Sequence, residues 1–310
     1  MTGRIGFACK YHHPDRSLSK KLLEQIERPL NERSTTITWL NRQTRDVAEQ
    51  RLWEIMEHNI QGMCNLVKYV GGLPNDLRMV RIGSNILPAY TQPDWSYYWT
   101  EPGVQRYLES GFARVGSLAR SLDVRLSFHP GQFVVLASDR PDVVERSIEE
   151  FEYHTDMARW MGYGKTFQDF KCNVHIAGRA GPAGIINALK RLSPEARNII
   201  TIENDEISWG IDASVELEKH CWRGVRPVIH YSVSRDTLIE TVREEYRRSV
   251  RPDYQTLVEA GLKRGKLRAH SNSYWNKACN EWAWSFTDDF DIMCEAKFKQ
   301  VASITPSPLI

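Results

Sequence analysis

The chain has 310 residues, 41% apolar and 26% charged, with a formal net charge of +2. That is enough for a sizeable core, and it excludes both a disordered polyelectrolyte and a strongly basic surface, so any nucleic-acid site has to be a local patch. No apolar run approaches the roughly 18 residues of a membrane span, and the opening stretch Met1 to Phe7 lacks the basic-then-apolar pattern of a secretory signal, which points to the cytoplasm and to no membrane partner.

In chain order, Arg4 to Ala8 is expected as a strand, and the polar stretch Lys10 to Arg45 as a long loop over one end of the fold. Val47, Leu52, Ile55 and Met56 recur at helical spacing. A strand is expected at Met79 to Ile82, a helix with Val115, Leu118 and Leu122 on one face, and a strand at Val124 to Phe128. Pro141-Asp142 opens a helix striped by Val143, Val144, Ile148, Phe151 and Met157. After a strand at Asn173 to Ile176, Ser193-Pro194-Glu195 reads as a cap with proline at the first helical position. Ile199 to Ile202, Pro227 to Tyr231 and Asp291 to Cys294 complete the strands. Strands alternating with helices imply a parallel sheet with helices outside, and near-continuous apolar strands imply cover on both faces. A TIM-type barrel and a doubly wound sheet both satisfy this pattern. No repeat or linker marks a boundary, so residues 1–310 read as one domain. Six cysteines without a C-x-x-C pair read as free thiols in a reducing compartment.

The metal-loving side chains fall in a repeated position. His129 follows the third strand, His175 lies in the fourth, Glu203 closes the fifth, His230 lies in the next and Glu295 follows the last. His270, on a loop after the penultimate strand, is a further candidate. In a parallel barrel the carboxyl ends of the strands converge on the face where active sites are built. Imidazoles and carboxylates gathered there suit a divalent metal. One histidine in a strand is more often a satisfied core residue; five residues with the same relation to five strands reverse those odds. A glutamate ending an apolar strand is costly to bury without a cation or basic partner. His12, His13, His58, His154 and His220 read as loop or helix-surface residues without a role. Arg81, Arg179, Lys297 and Lys299 are expected near the same face as phosphate contacts.

The strings Ile5-Gly6-Phe7, Arg81-Ile82-Gly83-Ser84, His129-Pro130-Gly131-Gln132-Phe133, Val174-His175, Ile202-Glu203-Asn204-Asp205-Glu206 and Glu295-Ala296-Lys297 together resemble the UV damage endonuclease family, a relative of the endonuclease IV and xylose isomerase-like TIM barrels. The resemblance runs over nearly the whole chain. It implies a cluster of up to three metal ions, Mn²⁺ first with Mg²⁺ or Zn²⁺ as alternatives, that hydrolyses double-stranded DNA 5′ to a UV photoproduct. By family role Glu203, His129 and His175 are the catalytic metal-binding residues, with Glu203 bridging ions. His230, His270 and Glu295 are the other ligands. Gln132 and Phe133 probe the duplex where damaged bases are flipped out, and Phe7 and Tyr11 line the lesion pocket. A monomer is expected.

The chain departs from the family in one large respect. The family carries a sixth strand ending in an aspartate and followed by a histidine pair or triplet. Here one helix, Asp212 to His220, leads through Cys221-Trp222 into the strand resembling the family's seventh. The expected architecture is therefore an α/β TIM-type barrel of seven strands lacking the sixth βα unit. Some members also place a lysine where Val228 stands. Fewer ions and weakened incision are the expected consequences. The alternatives are a non-catalytic DNA- or metal-binding remnant, and an abasic-site endonuclease or sugar isomerase of the same superfamily; Gln132-Phe133 favours a DNA reader.

Overall fold

A computed structural model describes residues 3–175, 177–203, 226, 228–233, 269–274 and 277–304. Its elements, in chain order, are β1 (Ile5–Cys9), α1 (Lys20–Glu27), α2 (Ile37–Leu40), α3 (Arg45–Gly71), β2 (Met79–Ile82), α4 (Ser96–Trp99), α5 (Pro102–Ser121), β3 (Arg125–Phe128), α6 (Pro141–Trp160), β4 (Lys171–His175), α7 (Gly181–Arg191), α8 (Pro194–Ile199), β5 (Ile200–Glu203), β6 (Val228–Tyr231), α9 (Lys277–Trp284), β7 (Asp291–Cys294) and α10 (Gln300–Ile304). Seven strands lie among the described residues, and every pair whose register is described is parallel. No described helix is long and apolar enough to cross a membrane. The expected helix Asp212 to His220, the junction at Cys221-Trp222 and the string Asn204-Asp205-Glu206 lie outside the described residues.

The chain clusters into two compact units. The first comprises Met1–Glu27, Val70–Arg81 and Arg226–Ile310. In it β1 pairs with β7 (Phe7 opposite Cys294) and β6 with β7 (His230 opposite Met293). Ile5, Tyr231, Val233, Tyr274, Cys279, Ile292 and Cys294 form a common core. Tyr231 and Tyr274 stack at 4.8 Å, and their hydroxyls reach the carbonyls of Cys279 at 2.9 Å and Tyr231 at 3.2 Å, as buried phenols require. Asp291, 2% exposed, accepts from Arg4 N at 2.9 Å and Arg226 Nε at 3.0 Å, so its buried charge is paired.

The second unit comprises Arg28–Tyr69 and Ile82–Val225. There β4 pairs with β3 and β5, with Phe128 opposite Cys172 and His175 opposite Glu203. The face of α5 that packs inward is Val104, Leu108, Phe112, Val115 and Ala119. Leu118 and Leu122 are only half-buried, because steps of three and four from Val104 lead to Ala119 instead. In α3 the same drift replaces the expected Val47, which is 49% exposed, with the fully buried Ala48 beside Leu52, Ile55 and Met56. Ser193 Oγ caps α8 by accepting from Ala196 N at 3.2 Å, with Pro194 at the first helical position, as expected.

The polar segment expected as a loop over 10–45 contains α1 and α2. Thr36 Oγ1 caps α2 by accepting from Trp39 N at 3.1 Å, and Leu23 and Leu40 bury one apolar contact in each helix. One buried leucine per short helix is enough to dock it, yet leaves no readable stripe. His154 also differs from its reading as a surface residue: it is fully buried in α6, edge-on to Phe128 at 5.6 Å, and burial pushes its imidazole pKa down to about 4. Cys9, Cys64, Cys172, Cys279 and Cys294 are free, as expected.

Candidate metal centre

Side chains in a strand alternate between its two faces, so on β4 Asn173 and His175 share a face, and on β5 Thr201 and Glu203 share one. The register sets His175 opposite Glu203 and Asn173 opposite Thr201. His129, one residue past β3, completes a group: ligand atoms of His129, His175 and Glu203 lie within 4.8 Å of one another. The rings of His129 and His175 are 4.7 Å apart. All three residues are half-buried.

The hydrogen bonding leaves room for a proton or a metal ion between His129 and Glu203. His129 Nδ1 is 2.8 Å from the carbonyl oxygen of Pro130, which can only accept, so Nδ1 carries the proton. Nε2 is then a lone pair in the neutral ring, and it stands 3.0 Å from Glu203 Oε2. A lone pair facing a carboxylate oxygen needs a proton or a metal ion between them, and an imidazole fixed by its other nitrogen is the usual arrangement of a metal-ligating histidine. The donor set fits a divalent metal. Asn173 holds the same carboxylate: its Nδ2 donates to Glu203 Oε2 at 2.5 Å, and Thr201 Oγ1 donates to Asn173 Oδ1 at 3.2 Å. The sequence reading missed Asn173, although its place two residues before His175 on one strand was the signal available.

The first unit carries its own group. Glu295 lies 3.4 Å from His230 Nδ1, 3.7 Å from His270 Nε2, and accepts from Arg81 Nη1 at 2.5 Å. Backbone bonds set this arrangement: Glu295 N donates to Tyr231 O at 3.0 Å, Lys297 N to Ser271 O at 2.9 Å and Ser271 N to Val233 O at 2.8 Å. Arg81, with 14% of its side chain exposed, is bonded to this carboxylate. Lys297 is exposed and Lys299 half-buried, its pKa lowered chiefly by burial.

Phe7 is 1% exposed in β1 and Tyr11 is 8% exposed. Phe7 is a core side chain in this structure. Gln132 is exposed, and Phe133 is the most open large apolar side chain described, at 68%. Arg179 is 88% exposed beside Asp139 at 3.6 Å. It follows Gly178, whose φ of +111° and whose closeness to Ala137 O, 2.1 Å from any added Cβ, both require glycine.

Comparison with known proteins gives the family and the fold. The family described as UV-endonuclease UvdE matches residues 4–305. Among curated relatives, the UV-damage endonuclease of Schizosaccharomyces pombe is 25% identical over 97% of this chain and 49% of that protein. A UV DNA damage endonuclease of Clostridium perfringens is 24% identical over 56% of this chain and 41% of its own length. One from Bacillus thuringiensis subsp. konkukian is 21% identical over 88% and 87%. The chain thus spans about half the length of the first two relatives. The crystal structure of SacUVDE has the same fold, with a TM-score of 0.67 over 97% of this chain and 96% of that one at 19% identity. The fold is of the α/β TIM type, with seven strands among the described residues.

Proposed function

The chain belongs to the UV-endonuclease family UvdE, and on that premise we propose that it is a metal-dependent DNA repair endonuclease that hydrolyses the phosphodiester 5′ to a UV photoproduct in duplex DNA. The observation that supports the metal dependence is that ligand atoms of His129, His175 and Glu203 lie within 4.8 Å of one another. Mn²⁺ is the first choice of ion, with Mg²⁺ or Zn²⁺ as alternatives. A divalent ion there would lower the pKa of a coordinated water and take up charge developing on phosphoryl oxygens. His129, His175 and Glu203 bind it in the second unit, and His230, His270 and Glu295 are the ligands offered by the first. Arg81 orients Glu295. Gln132 and Phe133 fill the gap left by a flipped dinucleotide, whose distortion lowers the cost of unstacking, and Lys297 contacts phosphate. The protein acts as a monomer.

The stretch 204–227 between β5 and β6 supports a barrel short of one βα unit. A unit takes about 30 residues, and 204–227 is shorter than that. Ligands carried by a further strand would be missing, so the chain should hold fewer than three ions and incise more slowly than eight-strand relatives. The same spacing favours a second reading, a DNA-binding remnant without catalysis.

The test is a duplex oligonucleotide with one defined photoproduct, incubated with Mn²⁺ beside its undamaged counterpart. A nick immediately 5′ to the lesion and none in the control is expected. Equal cutting of both duplexes would end the lesion reading, and DNA binding with no bound metal would establish the remnant. Within the active protein, Asn173→Ala should weaken Mn²⁺ binding about tenfold, the lower end for loss of a side chain that orients a ligand, as measured by calorimetry; unchanged affinity would remove Asn173 from the site.

A further inference from the structure

We propose that Tyr153, a buried tyrosine on α6 far from any ligand in sequence, is a positioning residue for His129, acting through Ser84. The inference rests on the metal-binding role of His129 proposed above. Tyr153 is 3% exposed. Its hydroxyl accepts from Leu87 N at 2.9 Å and donates to Ser84 O at 3.1 Å, clasping the two ends of the turn that follows β2. Ser84 Oγ in turn donates to the backbone carbonyl of His129. That carbonyl belongs to the residue whose ring is oriented by its neighbour Pro130 O, so a shift of the 129–130 backbone carries the imidazole with it.

The geometry leaves little slack. A buried hydroxyl with one donor and one acceptor partner is fully used, and losing it strands two backbone groups. Burial raises the phenol pKa well above its ordinary value, so the hydroxyl stays protonated as a donor. The chain just beyond this turn has two further ties to α6: Tyr90 OH donates to Asp156 Oδ2 at 2.9 Å and Thr91 Oγ1 to Glu150 Oε2 at 3.1 Å. Those ties hold the turn to the helix without touching Ser84. The Tyr90 ring also packs on that of Tyr153 at 4.7 Å; Tyr90→Phe keeps that ring contact and removes only the hydroxyl, which separates general bracing from the route to His129.

The experiment reads His129 directly in the metal-free protein, by the NMR signal of ¹³Cε1-labelled histidine assigned with His129→Asn. Tyr153→Phe and Ser84→Ala should each shift or broaden that signal, and the double variant should move it no further than the larger single effect, as one shared path demands. Tyr90→Phe should lower the Tm while leaving the signal in place. Calorimetry should show Tyr153→Phe weakening Mn²⁺ affinity about tenfold. An unmoved His129 signal in folded Tyr153→Phe overturns the proposal, as does movement of equal size in Tyr90→Phe. Should Tyr153→Phe not fold, 3-fluorotyrosine incorporated at position 153 keeps the ring and alters the hydroxyl's donor strength; an unmoved His129 signal overturns the proposal there too. A wild-type protein that binds no metal would sink the metal reading alone, because the histidine signal tests the relay without it.

Discussion

Chelating the divalent ion should abolish incision, and Glu203→Gln should lower the single-turnover nicking rate by about 10³-fold or more. Removing one fixed electrostatic contact to a transition state typically costs about 10² to 10³ in rate, and Glu203 is a ligand rather than a single donor. Glutamine preserves the shape, and its carbonyl can still accept from Asn173 Nδ2, now 2.5 Å from Oε2. What it loses is the negative charge facing His129 Nε2 at 3.0 Å. Fold stability should hold within about 1 kcal/mol, since the amide keeps the bond from Asn173 and loses only the charge facing His129. Retained stability with lost metal binding is the expected pair of results. A Glu203→Gln protein that nicks within tenfold of wild type would show that the carboxylate does not hold the catalytic ion.

Phe133→Ala should reduce the preference for damaged over undamaged duplex by about 10- to 100-fold, which is the worth of stacking against one base, about 1–3 kcal/mol. The side chain is 68% exposed, so truncation should change fold stability by no more than about 0.5 kcal/mol. Gly131→Ala gives an independent handle: an added Cβ would lie 2.4 Å from Phe133 Cε1 and must displace the ring. It should produce a smaller loss of preference with the aromatic ring still present. The measurement is the ratio of dissociation constants for the two duplexes at fixed salt. A ratio unaltered by both substitutions would assign Phe133 to some task other than reading the lesion.

Much of this was legible in the sequence, for definite reasons. Met79–Ile82 and Asp291–Cys294 are found with the boundaries expected, because short apolar runs between polar neighbours have one reading in an alternating chain. The His129, His175 and Glu203 group follows from strand position alone, since parallel register brings equivalent strand ends side by side. The misreadings arise where tertiary contacts decide. His154 looked like a surface residue because its neighbours Tyr153 and Thr155 mask the helical stripe, yet all three are buried. The contact of Arg81 with Glu295, 214 positions away, is likewise set by the fold. Asn173 and Tyr153 act through partners remote in the chain, which no local pattern encodes.

The pairing of β1 with β7 has a consequence for how the protein is made. The first unit is assembled from three separate stretches, whereas the second runs from Arg28 to Val225 with only Val70–Arg81 excluded. Emerging from the ribosome, the second unit can complete itself while the first strand is still waiting: Arg4 N meets Asp291 across 287 positions. Late closure of so long a loop is slow and leaves the β7 side of apolar β1 unpaired throughout most of synthesis, with β2 alone beside it. Nascent chains stalled before residue 291 should thus depend on chaperones in a way that the finished protein does not.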